Sequence, residues 1–124
     1  MAQTNVRELF DLKATEQIFD DFSCKEGALA SGRMYLTENY LCFFRSMLGL
    51  SKKVKIMWTD ITKIDTKGTQ IRIAAITEKE TITFSGFNDF TTSSKYIQKL
   101  WRAACGADSD DQSENDNGEK PGSK

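Results

Sequence analysis

The sequence lacks histidine altogether, since none of its 124 residues is of that type. A Ser-His-Asp or Cys-His catalytic arrangement therefore cannot be built, and a zinc site would lose its commonest nitrogen ligand. Phosphate-cradling loops of the GxGxxG or P-loop type are also missing, because the glycines are scattered. We expect no enzyme, no cofactor and no metal site.

Cysteine is sparse, with three residues, Cys24, Cys42 and Cys105, and no CxxC spacing or secretory signal. This odd number favours reduced thiols in a cytosolic protein over a disulfide framework. All three lie in apolar patterns, so we expect core thiols. No apolar run approaches the ~20 residues that span a bilayer, so any membrane contact is expected to be peripheral.

The last part of the chain has no aromatic residue and no large aliphatic one. Because such a segment has little apolar surface to offset the entropy lost on ordering, we expect one folded domain over 1–105 and a disordered acidic tail or linker over 106–124. The tail holds 2 basic and 6 acidic residues, whereas residues 1–105 hold 15 basic and 12 acidic residues. The folded domain is therefore mildly basic, at 15 − 12 = +3.

Seven short stretches have strand-like patterns joined by turn signals, and an amphipathic helix follows them. Residues 32–44 are apolar on both alternating faces around a polar break at 37–39, which predicts a hairpin at the centre of the core. Asn88 or Asp89 is expected to cap a helix that runs to about Ala104, with Trp101 as its largest buried side chain. This pattern favours an antiparallel sandwich or barrel with a C-terminal α-helix that closes one end.

Residues 6–12 have near-helical spacing, with a possible second turn at 15–19, and are expected to form a lid on the sheet edge. Further along, Gly49 and two serines predict a loop over 45–53, in which apolar residues lie between basic ones. In the strand that follows, Val54, Ile56 and Trp58 are expected to point inward, with the neighbouring lysines outward.

The chain resembles the GRAM domain, a pleckstrin-homology-like module, over about residues 6–104. The series in chain order carries the resemblance, although no single piece is specific. Its pieces are Leu9-Phe10, Glu16, Phe22-Ser23-Cys24, GRMYLT at 32–37, Leu41-Cys42-Phe43, Trp58-Thr59-Asp60-Ile61, Ile64, Phe84, Phe87 and 97–101. The family often has proline after the opening leucine, whereas Lys13 follows Leu12 here. The resemblance implies seven strands in two sheets with a capping helix, and a role in binding phosphoinositides or other anionic lipids or in docking proteins at membranes.

Positive charge is concentrated after the central hairpin, since residues 45–79 hold 8 basic and 3 acidic residues. Apolar tips inside a basic rim suit reversible binding to phosphoinositides or phosphatidylserine. The predicted lipid-binding residues are Lys25, Arg45, Met47, Leu48, Leu50, Lys52, Lys53 and Lys55. The alternatives are that these lysines are a solvated face, and that the domain docks a protein, within a larger protein such as a Rab GTPase activator or sterol-transfer protein.

Other partner classes fit less well. Aromatic residues do not interleave with the basic stretch as a stacking platform for nucleic acid requires, so we expect no nucleic-acid partner. We expect a cytoplasmic monomer that associates peripherally with membranes, and the acidic tail is expected either to solubilise the chain or to compete electrostatically for the basic loop.

Overall fold

The computed structural model describes residues 5–27, 30–47 and 49–106. The elements are α1 (Val6–Leu9), β1 (Ile18–Glu26), β2 (Ala30–Thr37), β3 (Tyr40–Met47), β4 (Leu50–Met57), a 3-10 turn (Trp58–Asp60), β5 (Ile61–Lys67), β6 (Gln70–Ala75), β7 (Ile82–Ser85) and α2 (Phe90–Ala104). The predicted seven strands and C-terminal helix are confirmed. Of the predicted tail over 106–124, residues 107–124 lie outside the described residues.

All seven strands are antiparallel and belong to one sheet, in the order β4-β3-β2-β1-β7-β6-β5. The two sheets that the resemblance implies are the two halves of this sheet, joined by a short β1–β7 pairing at Lys25↔Ser85 and Glu26↔Phe84. Their inner faces enclose the core, which includes Met34, Phe43, Ile56, Trp58, Ile71, Ile73, Phe84 and Ile97. Burial of these side chains is the main source of stability.

The central β2–β3 hairpin is covered on both faces, as its double apolar pattern predicts. Leu41 and Phe43 lie in the core, while Cys42 is fully buried on the other face. Gly32 faces Arg45 across the hairpin, and a Cβ there would lie 2.6 Å from the Phe43 ring. A side chain at this position would therefore force the core ring to move.

Residues 5–17, the opening segment, cover the outer face of β2–β4. Phe10 is buried and its ring meets that of Tyr35 edge to face, with centroids 5.7 Å apart. The predicted second turn at 15–19 does not form, because Ile18 already begins β1. The buried Glu16 carboxylate instead anchors this segment to the β2–β3 turn, accepting hydrogen bonds from the Thr37 hydroxyl at 2.9 Å and the Asn39 backbone N–H at 2.7 Å.

Helix α2 begins after Asp89, whose carboxylate accepts a hydrogen bond from the Thr92 N–H at 3.2 Å. Trp101 is only partly buried, and the fully buried tryptophan is Trp58, which lies in the 3-10 turn. The Trp101 indole N–H donates to the Ile61 carbonyl at 3.1 Å, which fixes the helix against the start of β5. The prediction that all three cysteines are core thiols is wrong for Cys105, which is exposed just after the helix, although all three thiols are free.

Candidate functional site

The predicted loop over 45–53 is for the most part a hairpin. β3 and β4 pair from Tyr40↔Met57 through Arg45↔Lys52 to Met47↔Leu50, so strand pairing extends over most of the stretch predicted to be a loop. Gly49 has φ +80°, the left-handed conformation that two-residue hairpin turns require and glycine adopts without strain. Gly49 therefore marks a tight turn, the two serines pair with each other within the strands, and the loop prediction is wrong.

The predicted basic rim is divided between the two faces of the sheet, because successive side chains in a strand point to opposite faces. Arg45 and Lys52 lie opposite each other on the inner side of the sheet, continuing the row that contains Val54. Lys53 and Lys55 lie on the outer side, as predicted. The cations of the β3–β4 hairpin thus belong to two separate surfaces.

Glu26, at the end of β1, joins Arg45 and Lys52. One carboxylate oxygen accepts from the Arg45 Nε–H at 3.1 Å and the other accepts from the Lys52 ammonium at 2.6 Å. Burial raises the pKa of the Glu26 carboxyl, but hydrogen bonds and charge from Lys52 and Arg45 outweigh it and leave the pKa below its ordinary value. These three residues, which we call the Glu26 triad, place two cations beside one carboxylate.

Lys53 and Lys55 are directed towards the opening segment. The Lys53 ammonium donates to the Leu9 carbonyl at 3.0 Å, and the Lys55 ammonium donates to the Asp11 carbonyl at 3.3 Å. Lys55 also lies 4.6 Å from the centroid of the Tyr40 ring. The opening segment therefore fixes the positions of both lysines. Because its carbonyl groups carry no formal charge, both lysines still contribute to the positive potential.

Leu50, at the start of β4, exposes 73% of its surface. Ile76, which follows β6, exposes 72%, and its backbone N–H donates to the Asp60 carbonyl at 2.9 Å. The Met47 side chain and the whole of Leu48 lie outside the described residues. Single exposed apolar side chains are common on protein surfaces, so Leu50 is a candidate contact point only because Lys52 lies beside it on the same face of the strand.

A groove of about 570 Å³ lies beside Glu26 and Lys52 at what we call the open end of the sheet, where β1 and β3 finish. Its lining residues are Glu26, Gly27, Lys52 and 77–83, so the stretch after Ile76 runs beside the Glu26 triad. The groove carries both signs of charge, with Lys79 between Glu78 and Glu80. The groove is therefore not a purely cationic pocket.

Lys25 is exposed on the other side of β1 from Glu26, and its aliphatic stem lies beside Gly86. It is therefore near the open end but does not join the Glu26 triad. Sequence reasoning missed one residue of this end, Glu26. The signal that could have found it is Gly27, which follows the last residue of β1 and so places Glu26 at the end of that strand.

The comparisons with known proteins identify the family. A family model described as the GRAM domain matches residues 4–105, so the chain belongs to the GRAM domain family. The resemblance seen in the sequence is confirmed. Among the described residues, no helix is long and apolar enough to cross a membrane.

Several curated proteins match parts of the chain. Human protein Aster-B is 29% identical over 107 residues, which cover 79% of this chain and 14% of Aster-B. The yeast protein LAM5 from Saccharomyces cerevisiae, described as a membrane-anchored lipid-binding protein, is 39% identical over 49 residues, covering 38% of this chain and 7% of LAM5. An uncharacterized membrane protein of Schizosaccharomyces pombe is 27% identical over 97 residues, covering 73% of this chain and 13% of its own. The chain thus spans a seventh or less of these relatives.

Two solved structures share the fold. A C-terminal domain of an unknown protein from Leishmania infantum matches with a TM-score of 0.63 and 21% identity, covering 77% of this chain and 94% of that one. A protein with a pleckstrin-homology domain from Shewanella loihica matches with a TM-score of 0.57 and 13% identity, covering 80% and 99%. The fold is therefore that of the pleckstrin-homology class.

Proposed function

We propose that this GRAM domain is a binding module, without catalytic activity, that attaches peripherally to membranes containing anionic lipids. The observation that carries the proposal is the position of the exposed Leu50, two residues before Lys52 of the Glu26 triad. An apolar tip beside cations is the arrangement that partitions into a charged lipid interface. The printed description of LAM5 as a lipid-binding protein supports the same class of ligand.

The expected contributions are individually small. Each lysine or arginine near an anionic surface is worth on the order of 1 kcal/mol. Each buried methylene adds about 0.8 kcal/mol, so insertion of one leucine adds roughly 2–3 kcal/mol. Leu50 with Arg45, Lys52 and Lys25 therefore gives reversible binding that depends on lipid composition. Lys53 and Lys55 strengthen the potential without entering the interface.

The Glu26 triad suggests how an anion is recognised. Arg45 and Lys52 are already oriented by Glu26, so little side-chain entropy is lost when a phosphate or carboxylate of a headgroup joins them. The headgroup contacts the cations from the solvent side, where the Lys52 side chain is 44% exposed and that of Glu26 only 15%. Phosphoinositides and phosphatidylserine both supply the required anion.

The experiment is co-sedimentation of the purified chain with phosphatidylcholine vesicles, alone or containing phosphatidylserine or a phosphoinositide, at low and high salt. We expect sedimentation only with the anionic vesicles, and less of it at high salt because the charges are screened. Sedimentation with none of them would contradict the proposal. Equal sedimentation with neutral vesicles would contradict the part played by charge.

A further inference from the structure

Helix α2 has an exposed face with positive charge only. Lys95, Lys99 and Arg102 are all exposed, and with Gln98 they line a shallow depression of about 470 Å³. The 15 residues of the helix include no acidic residue. Within the part of the chain that the structure describes, none of these three cations has a carboxylate within 4.0 Å.

The C-terminal half of this basic face lies away from the Glu26 triad. The C-terminal half of α2 is held beside the 3-10 turn and β5, since Trp101 donates to the Ile61 carbonyl at 3.1 Å. The buried Trp58 of that turn donates in turn to the Thr37 carbonyl at 2.9 Å, at the end of β2. Thr37 is separated from Ala30, at the open end, by a strand that extends for roughly 25 Å at ~3.3 Å per residue.

We propose that the basic face of α2 binds an acidic peptide segment of a partner protein. Lys95 and Arg102 are about 10 Å apart along the helix at ~1.5 Å per residue. Carboxylates on one side of an extended peptide recur every ~7 Å, so two or three of them match the three cations. The inference does not depend on lipid binding, since none of the three cations belongs to the Glu26 triad or lines the groove beside it.

Other polyanions fit this face less well. The groove beside the Glu26 triad, where a bilayer is proposed to attach, is lined by none of these three cations. The aromatic residues of α2, namely Phe90, Tyr96 and Trp101, pack against the core, so the helix offers no ring on which the bases of a nucleic acid stack. An acidic peptide needs only separate carboxylates along a line, which is the chemistry that the face presents.

The test is a titration of the isotopically labelled full chain with a synthetic peptide of alternating glutamate and serine, about ten residues long, to span the three cations. We expect fast-exchange NMR shifts at the amides of α2 around Lys95, Lys99 and Arg102. Replacing Lys95→Glu and Lys99→Glu together should weaken peptide binding at least about tenfold, because two attractive pairs become repulsive. A peptide of alternating glutamine and serine should give no shifts.

A matched variant controls for net charge. Lys63→Glu with Lys67→Glu changes the charge equally at exposed positions of β5, and it should leave peptide affinity within about twofold. Melting temperatures of both variants check the fold. Equal loss in the two variants, shifts confined to the open end, or no shifts at all would overturn the proposal. So would a loss of vesicle sedimentation on changing Lys95 and Lys99, which would make this face part of the membrane surface.

Discussion

The two ends of the sheet each contain a glutamate that bridges separate strands or segments, and the partners of these glutamates differ. Glu16, near the β2–β3 turn, is 4% exposed and accepts from neutral donors, the Thr37 hydroxyl and two N–H groups of Asn39. Glu26, at the open end, is more exposed and accepts from Arg45 and Lys52. The Glu16 carboxylate is thus almost inaccessible to solvent, whereas the Glu26 carboxylate and its cationic partners are partly accessible.

This difference separates stability from binding. The donors around Glu16 are buried, so removing the carboxylate leaves them without an acceptor. The cations around Glu26 reach solvent, so water or an external anion can replace the carboxylate. We infer that the Glu16 end holds the fold together and that the Glu26 end is available for ligands.

The largest expected effect is that of Glu16→Ala on stability. Three hydrogen bonds at the β2–β3 turn are lost, and the variant should lower the free energy of unfolding by about 3 kcal/mol. Urea denaturation followed by tryptophan fluorescence measures the change. Glu38→Ala, at an exposed glutamate of the same turn, is the control and should cost no more than about 0.5 kcal/mol. Similar losses in both variants would show that the hydrogen bonds of Glu16 stabilise the fold no more than an exposed glutamate does.

Leu50→Asp should weaken vesicle binding by about 2–3 kcal/mol, because the leucine can no longer insert, with little change in stability. Met57→Asp is its matched control, since Met57 is 42% exposed at the other end of the same strand. Co-sedimentation over a range of lipid concentrations gives the two affinities. If both variants lost affinity equally, the open end would have no particular role.

Glu26→Gln should strengthen binding to anionic vesicles by about 1 kcal/mol, since one negative charge is removed beside two cations. The amide oxygen still accepts one hydrogen bond, so the hairpin is expected to stay folded. The same vesicle titration measures the gain. A weaker affinity in this variant would show that the carboxylate orients the cations more than it opposes the lipid.

The smallest expected effect is a pH dependence of stability from the two glutamates. Burial raises the pKa of Glu16, but hydrogen bonds from Asn39 and Thr37 outweigh it, and the pKas of both Glu16 and Glu26 are lowered from 4.5. Each contribution is complete above the ordinary pKa and is lost as the pH falls through the lowered one. Unfolding curves from pH 7 downwards should show a decline that begins near pH 4.5 and is less steep in Glu16→Gln. An equally steep decline in that variant would assign the pH dependence elsewhere.

Periodicity was enough to predict most of the fold. The alternation of Val54 and Ile56 with lysines and the cap at Asp89 describe local geometry that side chains encode directly. The pairing of Arg45 with Lys52 depends instead on backbone hydrogen bonds between strands, which have no side-chain pattern. For this reason the sequence around Gly49 predicts a loop, whereas in the structure Gly49 marks the turn of a hairpin.

For the same reason the candidate site was only partly predictable. The basic residues after the central hairpin are visible in the sequence, but which of them share a face follows from a register that the loop assignment had hidden. Glu26 is 19 positions before Arg45 in the chain, and only the sheet brings the two together. Long-range contacts of this kind are set by topology rather than by local composition.

The central claim is that the Glu26 side of the β3–β4 hairpin, and not the opposite side, meets anionic membranes. Lys52→Glu and Lys53→Glu test it directly, because these neighbours carry the same charge on opposite faces of one strand. Vesicle affinity should fall about tenfold in Lys52→Glu and no more than about threefold in Lys53→Glu, which changes only the general potential. Equal losses in the two variants, or a larger loss in Lys53→Glu, would contradict the claim.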